Sequence, residues 1–336
     1  MKKTLLAIAC VAGLSCSAMA GTVLVGGHSG LVNKVSLPGG NPQFFGTCGG
    51  PIDSMHVLNG VVYLGTNSGW VYRISLANGQ VLGSYQVSVS CSALASYQGN
   101  LLIADVSGQI VTVNPATGAF IRTFSAPNEV HSMVMHGDDL LVGGPAGVWQ
   151  GNPTSGGFNY AACGCIGQLE GLAMMGNHLW GVDVNGSLIK FDINNGALLL
   201  GHWTGIPATG LATDNGKLLM TTEDRRVLTI NPDTGAIEAQ QQFQIDVRAI
   251  VLESSPQCAP DLTASNLPGT FGYGQPNGVL NSSDFFYFLS AYSAGNTAVA
   301  DVTTFAVPGS AGHGAPNGII NNDDFFYYLT AYAAGC

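Results

Sequence analysis

The chain has 336 residues, 46% of them hydrophobic and only 9% charged, with 47 glycines and a formal net charge of −10. That balance supplies a sizeable apolar core and argues against a disordered chain. It offers no basic stripe for a phosphate backbone, so nucleic-acid binding is not expected.

The first segment, MKKTLLAIACVAGLSCSAMA, sets Lys2 and Lys3 before an apolar run and ends in Ala18-Met19-Ala20. This is the pattern of a secretory signal peptide over residues 1–20, cleaved before Gly21 and too short to span a bilayer. Cys16 lacks the leucine three positions earlier that a lipoprotein cysteine calls for. No other stretch reaches the ~18 uninterrupted apolar residues of a span. The expected location is therefore secreted: extracellular, cell-surface or periplasmic. Cleavage removes two lysines and takes the net charge to −12.

Six cysteines then remain: Cys48, Cys91, Cys163, Cys165, Cys258 and Cys336. An even number in an exported chain suggests disulfides, with fifteen pairings open. Cys258 and Cys336 bracket the last quarter of the chain, and a bridge between them would close it. Cys48 and Cys91 lie near the starts of adjacent repeats and could also pair. Cys163-Gly164-Cys165 could close on itself or pair elsewhere.

Residues 21–254 carry a long-period repeat. VVYLGTNSGWVYRISLANGQVLGSY and LLIADVSGQIVTVNPATGAFIRTF each read strand, turn, strand, turn, strand, and another short strand precedes each. Four strands at a period near 39 residues are the pattern of propeller blades. Five complete units run from about residue 50 to 244. DVRAIVLE at 246–253 supplies a first strand, and TVLVGGHSGLVNKVSLPGG at 22–40 the other three. Together they make a sixth blade, so the expected fold is mainly β: a six-bladed propeller whose last strand closes the first blade.

VNPATG and INPDTG are hairpin turns in which proline presets one backbone angle and glycine supplies the left-handed one. On these turns the stretch resembles the secreted bacterial propellers of the PQQ-like and YncE-like repeat families. The quinoprotein dehydrogenases among them use repeated docking tryptophans and adjacent cysteines. Here Trp70, Trp149, Trp180 and Trp203 share no repeat position, and Gly164 separates Cys163 from Cys165. No PQQ is expected.

Aligning the units sets one residue of each inner strand beside the central channel: Asp53, Cys91, His131, Glu170, Thr209 and Arg248, spaced 38, 40, 39, 39 and 39 apart. One expectation is a wet channel mouth without chemistry, in which Arg248 neutralises Asp53. The other is a metal-dependent hydrolase or lactonase, with Asp53, His131 and Glu170 as ligands and Arg248 clamping an anionic substrate. Six-bladed lactonases use carboxylates with asparagines for their metal, and this ring has no asparagine. The sequence carries no GxSxG elbow, HExxH helix or Walker loop. It favours a non-enzymatic binding protein.

The last quarter is written twice. Residues 261–296 and 301–336 align without gaps at 19 of 36 identical positions. Asn277-Gly278-Val279-Leu280-Asn281 followed by Asp284, and its copy, have the second half of a calcium loop: an oxygen ligand, a turn glycine, a backbone carbonyl, another oxygen and a closing carboxylate at a helix start. Tyr273, Gln275, His313 and Ala315 in the preceding positions are poor ligands, whereas Asp261, Thr263, Asp301 and Thr303 recur and could supply the missing oxygens. The local alternative makes Asp284 and Asp324 plain helix caps and Asn-Gly a plain turn. Phe285, Leu289 and Tyr292 are expected to face Phe325, Leu329 and Tyr332 in a helical core.

The tandem halves, the FFYxL helix starts and the final Gly335-Cys336 resemble the GC-type dockerin domain. The resemblance covers residues 258–336. It implies a small helical module with two EF-hand-like loops that binds calcium and attaches the protein to a cohesin-like or cell-surface partner. Carried over by position, Asp261, Thr263, Asn277, Val279, Asn281 and Asp284 would hold one ion. Asp301, Thr303, Asn317, Ile319, Asn321 and Asp324 would hold the other. Ser282, Ser283, Asn322 and Asp323 would read the partner. The expected domains are 1–20, 21–254 and 255–336.

Overall fold

The computed structural model describes residues 21–162, 167–252, 261–263, 266–268, 273–274, 280–307, 310, 314 and 316–334. The signal segment, Cys163, Cys165, Cys258, Cys336, Asn277 and Val279 lie outside the described residues, and so do the pairings proposed for those cysteines.

Strands β1 (Thr22–Gly26), β2 (Leu31–Ser36) and β3 (Gln43–Thr47) are followed by five sets of four. These run β4 (Ser54–Leu58) to β7 (Val81–Gln86), β8 (Ala93–Tyr97) to β11 (Phe120–Ser125) and β12 (Ser132–His136) to β15 (Phe158–Ala162). β16 (Leu169–Met175) to β19 (Leu198–Trp203), β20 (Ala208–Asp214) to β23 (Ile237–Gln242) and a lone β24 (Ala249–Leu252) complete the series. Each set forms one antiparallel sheet, and β24 pairs with β1 to give a sheet in the order β24-β1-β2-β3. The inner strands β24, β4, β8, β12, β16 and β20 neighbour one another in a closed circle. The molecule contains a six-bladed propeller closed by strands from both ends of the domain, as expected. The outer strand of the closing blade lies at 43–47, just past the Pro-Gly-Gly turn.

The burial patterns follow from this closure. The second strand of a blade, such as β21 (Lys217–Thr222), is covered on both faces by its neighbours, and residues 218–222 are all buried. Outer strands such as β7 alternate between exposed and half-buried positions because one face meets solvent. Six apolar clusters result, one at each blade interface.

The Asn-Pro-x-Thr-Gly turns prove structural. Asn114 Oδ1 accepts from the backbone N–H of Ala116 and Thr117 at 3.0 and 3.1 Å, and Asn231 Oδ1 repeats this with Asp233 and Thr234. Gly118 closes the turn at φ 72°, and a Cβ there would meet the Tyr85 ring of the preceding blade at 2.4 Å. This glycine therefore serves both the turn and the close approach of two blades.

Beyond the propeller stand helices α1 (Ser282–Ser293), α2 (Thr297–Ala300) and α3 (Asn322–Ala334). Their core is centred on Phe288 and Tyr328, both buried, with ring centroids 3.8 Å apart and planes at 3°. The expected core set is thus shifted. Phe285 meets Tyr332 and Tyr292 meets Phe325 at the flanks, at 5.7 and 5.8 Å, while Leu289 is only half-buried.

Candidate functional site: the channel mouth

The backbone gives the ring a constant register. Asp53 N–H donates to Gly65 O, Ser92 N–H to Ala104 O and His131 N–H to Gly143 O, all at 2.8–2.9 Å. Equivalent positions are therefore 39 apart throughout, and the second member of the ring is Ser92, not Cys91. A one-residue shift along an extended strand turns a side chain to the other face. Cys91 accordingly falls in a different set, with Ile52, Val130, Leu169, Ala208 and Val247, all buried between blades. It behaves as a small hydrophobe, and burial pushes its thiol up to about 12. Cys48 and Cys91 are both free thiols, so the pairing suggested for them is not made. Cys48 packs against the cluster of one blade interface and donates to Gly50 O at 3.0 Å, whereas Cys91 belongs to the cluster of the next.

The other five expected residues, with Ser92, line one cavity of about 540 Å³ at the channel mouth. The small residues that follow them have a packing reason: a Cβ on Gly171 would lie 2.5 Å from Leu211 N. Below the ring, two residues further along each inner strand, lies an apolar belt of Met55, Leu94, Met133, Leu172, Leu211 and Ile250 that lines the same cavity. Above it lies an exposed rim from the hairpin between the second and third strands of each blade. Of this rim, Asn67 and Val106 reach the cavity, and His28 holds the position equivalent to theirs.

Most of the ring is internally tied. His28 Nε2 lies 3.3 Å from Asp53 Oδ1, and the His28 backbone N–H donates to Asp246 Oδ2 at 2.9 Å. Ser92 Oγ donates to Val130 O at 2.7 Å, and Thr209 Oγ1 to Val247 O at 2.7 Å, each reaching the next blade. Gln168 Nε2 donates to Glu170 Oε1 at 2.6 Å and lies 3.3 Å from His131 Nδ1, while Glu129 stands 3.6 Å from the other ring nitrogen. Arg248 is exposed and forms no hydrogen bond or ion pair through its side chain with any described residue, so it does not neutralise Asp53. Among the described residues no group of three or more His, Cys, Asp or Glu side chains is arranged to hold a metal ion. Asp53, His131 and Glu170 therefore do not assemble the expected metal-ligand trio.

Sequence reasoning missed Ser92, His28, Gln168, Glu129 and Asp246. The signal was available: Glu129, Gln168 and Asp246 recur on the 39-residue period two positions before the ring, and His28 on the period of the rim.

The described C-terminal oxygens are surrounded by backbone N–H groups. Asp284 is fully buried. Its Oδ1 accepts from Leu262 N–H and Thr263 N–H at 2.8 Å, and its Oδ2 from Asn281 N–H at 2.9 Å. Asp324 repeats this with Val302, Thr303 and Asn321 at 2.8–2.9 Å. Asn281 and Asn321 cap the helices through the backbone N–H of Ser283 and Asp323. Asp301 accepts from Asn317 and Gly318, Thr263 and Thr303 from Gly274 and Gly314, and Asn317 from Ile319. Asp261 is buried in the equivalent place, and the Ile319 side chain is exposed. Calcium needs six to eight oxygens with lone pairs free to face it. Here Thr263, Asn281, Asp284, Asp301, Thr303, Asn317, Asn321 and Asp324 each turn a side-chain oxygen to a backbone N–H, and Asn277 and Val279, two more of the expected ligands, lie outside the described residues. Ser282 and Asn322 are exposed at the helix starts, while Ser283 and Asp323 are half-buried.

The fold and mouth define a six-bladed β-propeller with a polar ring over an apolar channel. No protein-family pattern matches the sequence, and no curated protein is significantly similar to it. Among solved structures, a chain of a nidogen/laminin complex aligns over 70% of this chain and 99% of its own, at 15% identity and a TM-score of 0.61. The WD40 β-propeller domain of Doa1 aligns over 69% and 86%, at 13% identity and a TM-score of 0.53. These likenesses concern the fold alone.

Proposed function

We propose that the protein is an exported, non-enzymatic binding propeller that takes a small ligand at its channel mouth and is attached to a partner through its duplicated C-terminal unit. One observation carries the first part: six polar side chains of four chemical kinds stand at one equivalent position around a cavity floored by apolar residues. A concave apolar site with a few convergent polar groups is the usual form of a ligand pocket. The leader-like residues 1–20 support export. For the attachment role, the tandem halves and the GC-type dockerin resemblance are the support, with a cohesin-like or cell-surface protein as partner.

The test is a thermal-shift screen of small ligands on the mature chain and on Glu170→Trp, which fills the mouth from a half-buried ring position. Ligands that raise the midpoint of the native protein are expected to lose that effect in the variant. Undiminished shifts in Glu170→Trp would place binding elsewhere and defeat the reading.

A further inference from the structure

We infer that the channel receives an amphipathic monoanion, a carboxylate on a hydrocarbon or aromatic body, with the carboxylate on Arg248 and the body against the apolar belt. This rests on the channel being the binding site. Within the ring, Asp53 is engaged by His28, Ser92 and Thr209 by the backbone of the next blade, and His131 and Glu170 by Gln168. Arg248 alone has no partner for its side chain among the described residues, and it is exposed at the cavity wall. A guanidinium carries five donors in a planar fork that fits a carboxylate with two parallel hydrogen bonds. An internal acid at bonding distance would have occupied that fork; here the neighbouring Asp53 turns to His28 instead.

The floor sets the rest of the ligand. Met55, Leu94, Met133, Leu172, Leu211 and Ile250 are each under 10% exposed and line the cavity one step below Arg248. A group that removes this surface from water gains about 25 cal/mol per Å² of apolar area. Two methionines among the six let the belt adapt to irregular shapes. The charge of the ligand is limited by its surroundings. Asp53 and Glu170 share the ring with Arg248, and Glu223 holds the rim position of an adjacent blade. Such a mouth repels a dianion such as a phosphate monoester while one guanidinium offsets one negative charge.

The experiment is calorimetry on the full mature chain with decanoate, decanol and decylammonium, each kept below its micelle concentration. Decanoate is expected to bind at least tenfold more tightly than the other two. Arg248→Gln should weaken decanoate tenfold or more and leave decanol unchanged, with Arg248→Lys retaining part of the preference. Equal decanoate affinity in Arg248→Gln, or tighter binding of decylammonium than of decanoate, would overturn the anion assignment while leaving the channel site standing. Binding of all three probes unchanged in Glu170→Trp, or by none of them to a natively folded protein, would overturn the channel reading itself and this inference with it.

Discussion

The propeller and the C-terminal unit are both built by repetition, but the copies agree in opposite places. Around the propeller the agreement lies in buried apolar positions and turn glycines. The ring position reads Asp, Ser, His, Glu, Thr and Arg. In the C-terminal unit the polar residues themselves are duplicated, and Asp284 and Asp324 make the same three backbone hydrogen bonds forty residues apart. Sameness between copies marks groups that hold the fold, and divergence marks groups released from that task. By this measure the paired aspartates belong with the scaffold, and the ring with the site proposed for the ligand.

Four measurements bear on that contrast. The largest effect is expected from Asp284→Ala or Asp324→Ala. Each strands three backbone N–H groups in a buried place and should cost about 3–5 kcal/mol, read as loss of the helical transition in circular dichroism. The same transition is expected to keep its midpoint in excess chelator; a midpoint that rises with added calcium would return those oxygens to a metal.

Next comes Leu169→Ala, in the buried set between blades, with an expected cost of ~2–5 kcal/mol in denaturant unfolding. Ring substitution Glu170→Gln, one residue on, should stay within ~0.5 kcal/mol. Equal costs at the two positions would erase the distinction between scaffold and site.

The third concerns His56. Burial lowers its pKa from 6.5 to about 4, and its Nε2 lies 2.9 Å from Ser96 Oγ. The unfolded chain binds this proton below pH 6.5 and the folded one does not until about pH 4. Stability from this group is therefore complete above pH 6.5 and falls with acidification, by roughly 2–3 kcal/mol at pH 4. His56→Gln should flatten that part of the profile; an unchanged slope would mean that His56 is solvated.

The smallest effect compares two serines at equivalent positions. Ser54 Oγ donates to Cys91 O at 2.7 Å, whereas buried Ser132 Oγ has no hydrogen-bond partner among the described residues. Ser54→Ala should cost about 1 kcal/mol and Ser132→Ala nothing or less, by thermal unfolding.

Much of the fold was legible because each blade repeats a turn chemistry, and counting the strands left over at both ends gave the closing sheet. The ring was legible to within one residue in one blade. There the adjacent Cys91 and Ser92 both suit a channel wall by type, and only the backbone register separates them. The C-terminal oxygens were found in the right places, and the structure adds the backbone N–H groups that they accept from. An Asp that ligates a metal and an Asp that caps a helix share position and chemistry, and the direction of the nearby N–H groups decides between them. His28 escaped notice because it lies off the inner strand and reaches Asp53 only once neighbouring blades converge, and Gln168 because its second contact, His131, comes from the neighbouring blade.

The closing sheet also has a consequence in time. Val23 on β1 pairs with Leu252 on β24, so that ladder joins the two ends of the propeller sequence. A chain that emerges from its amino end presents β1–β3 early, with an unsatisfied edge that nothing nearby can fill. It must keep that edge open through five intervening blades until residue 252 arrives. Closure is then a late, single event, and until it happens the channel has five walls and no mouth.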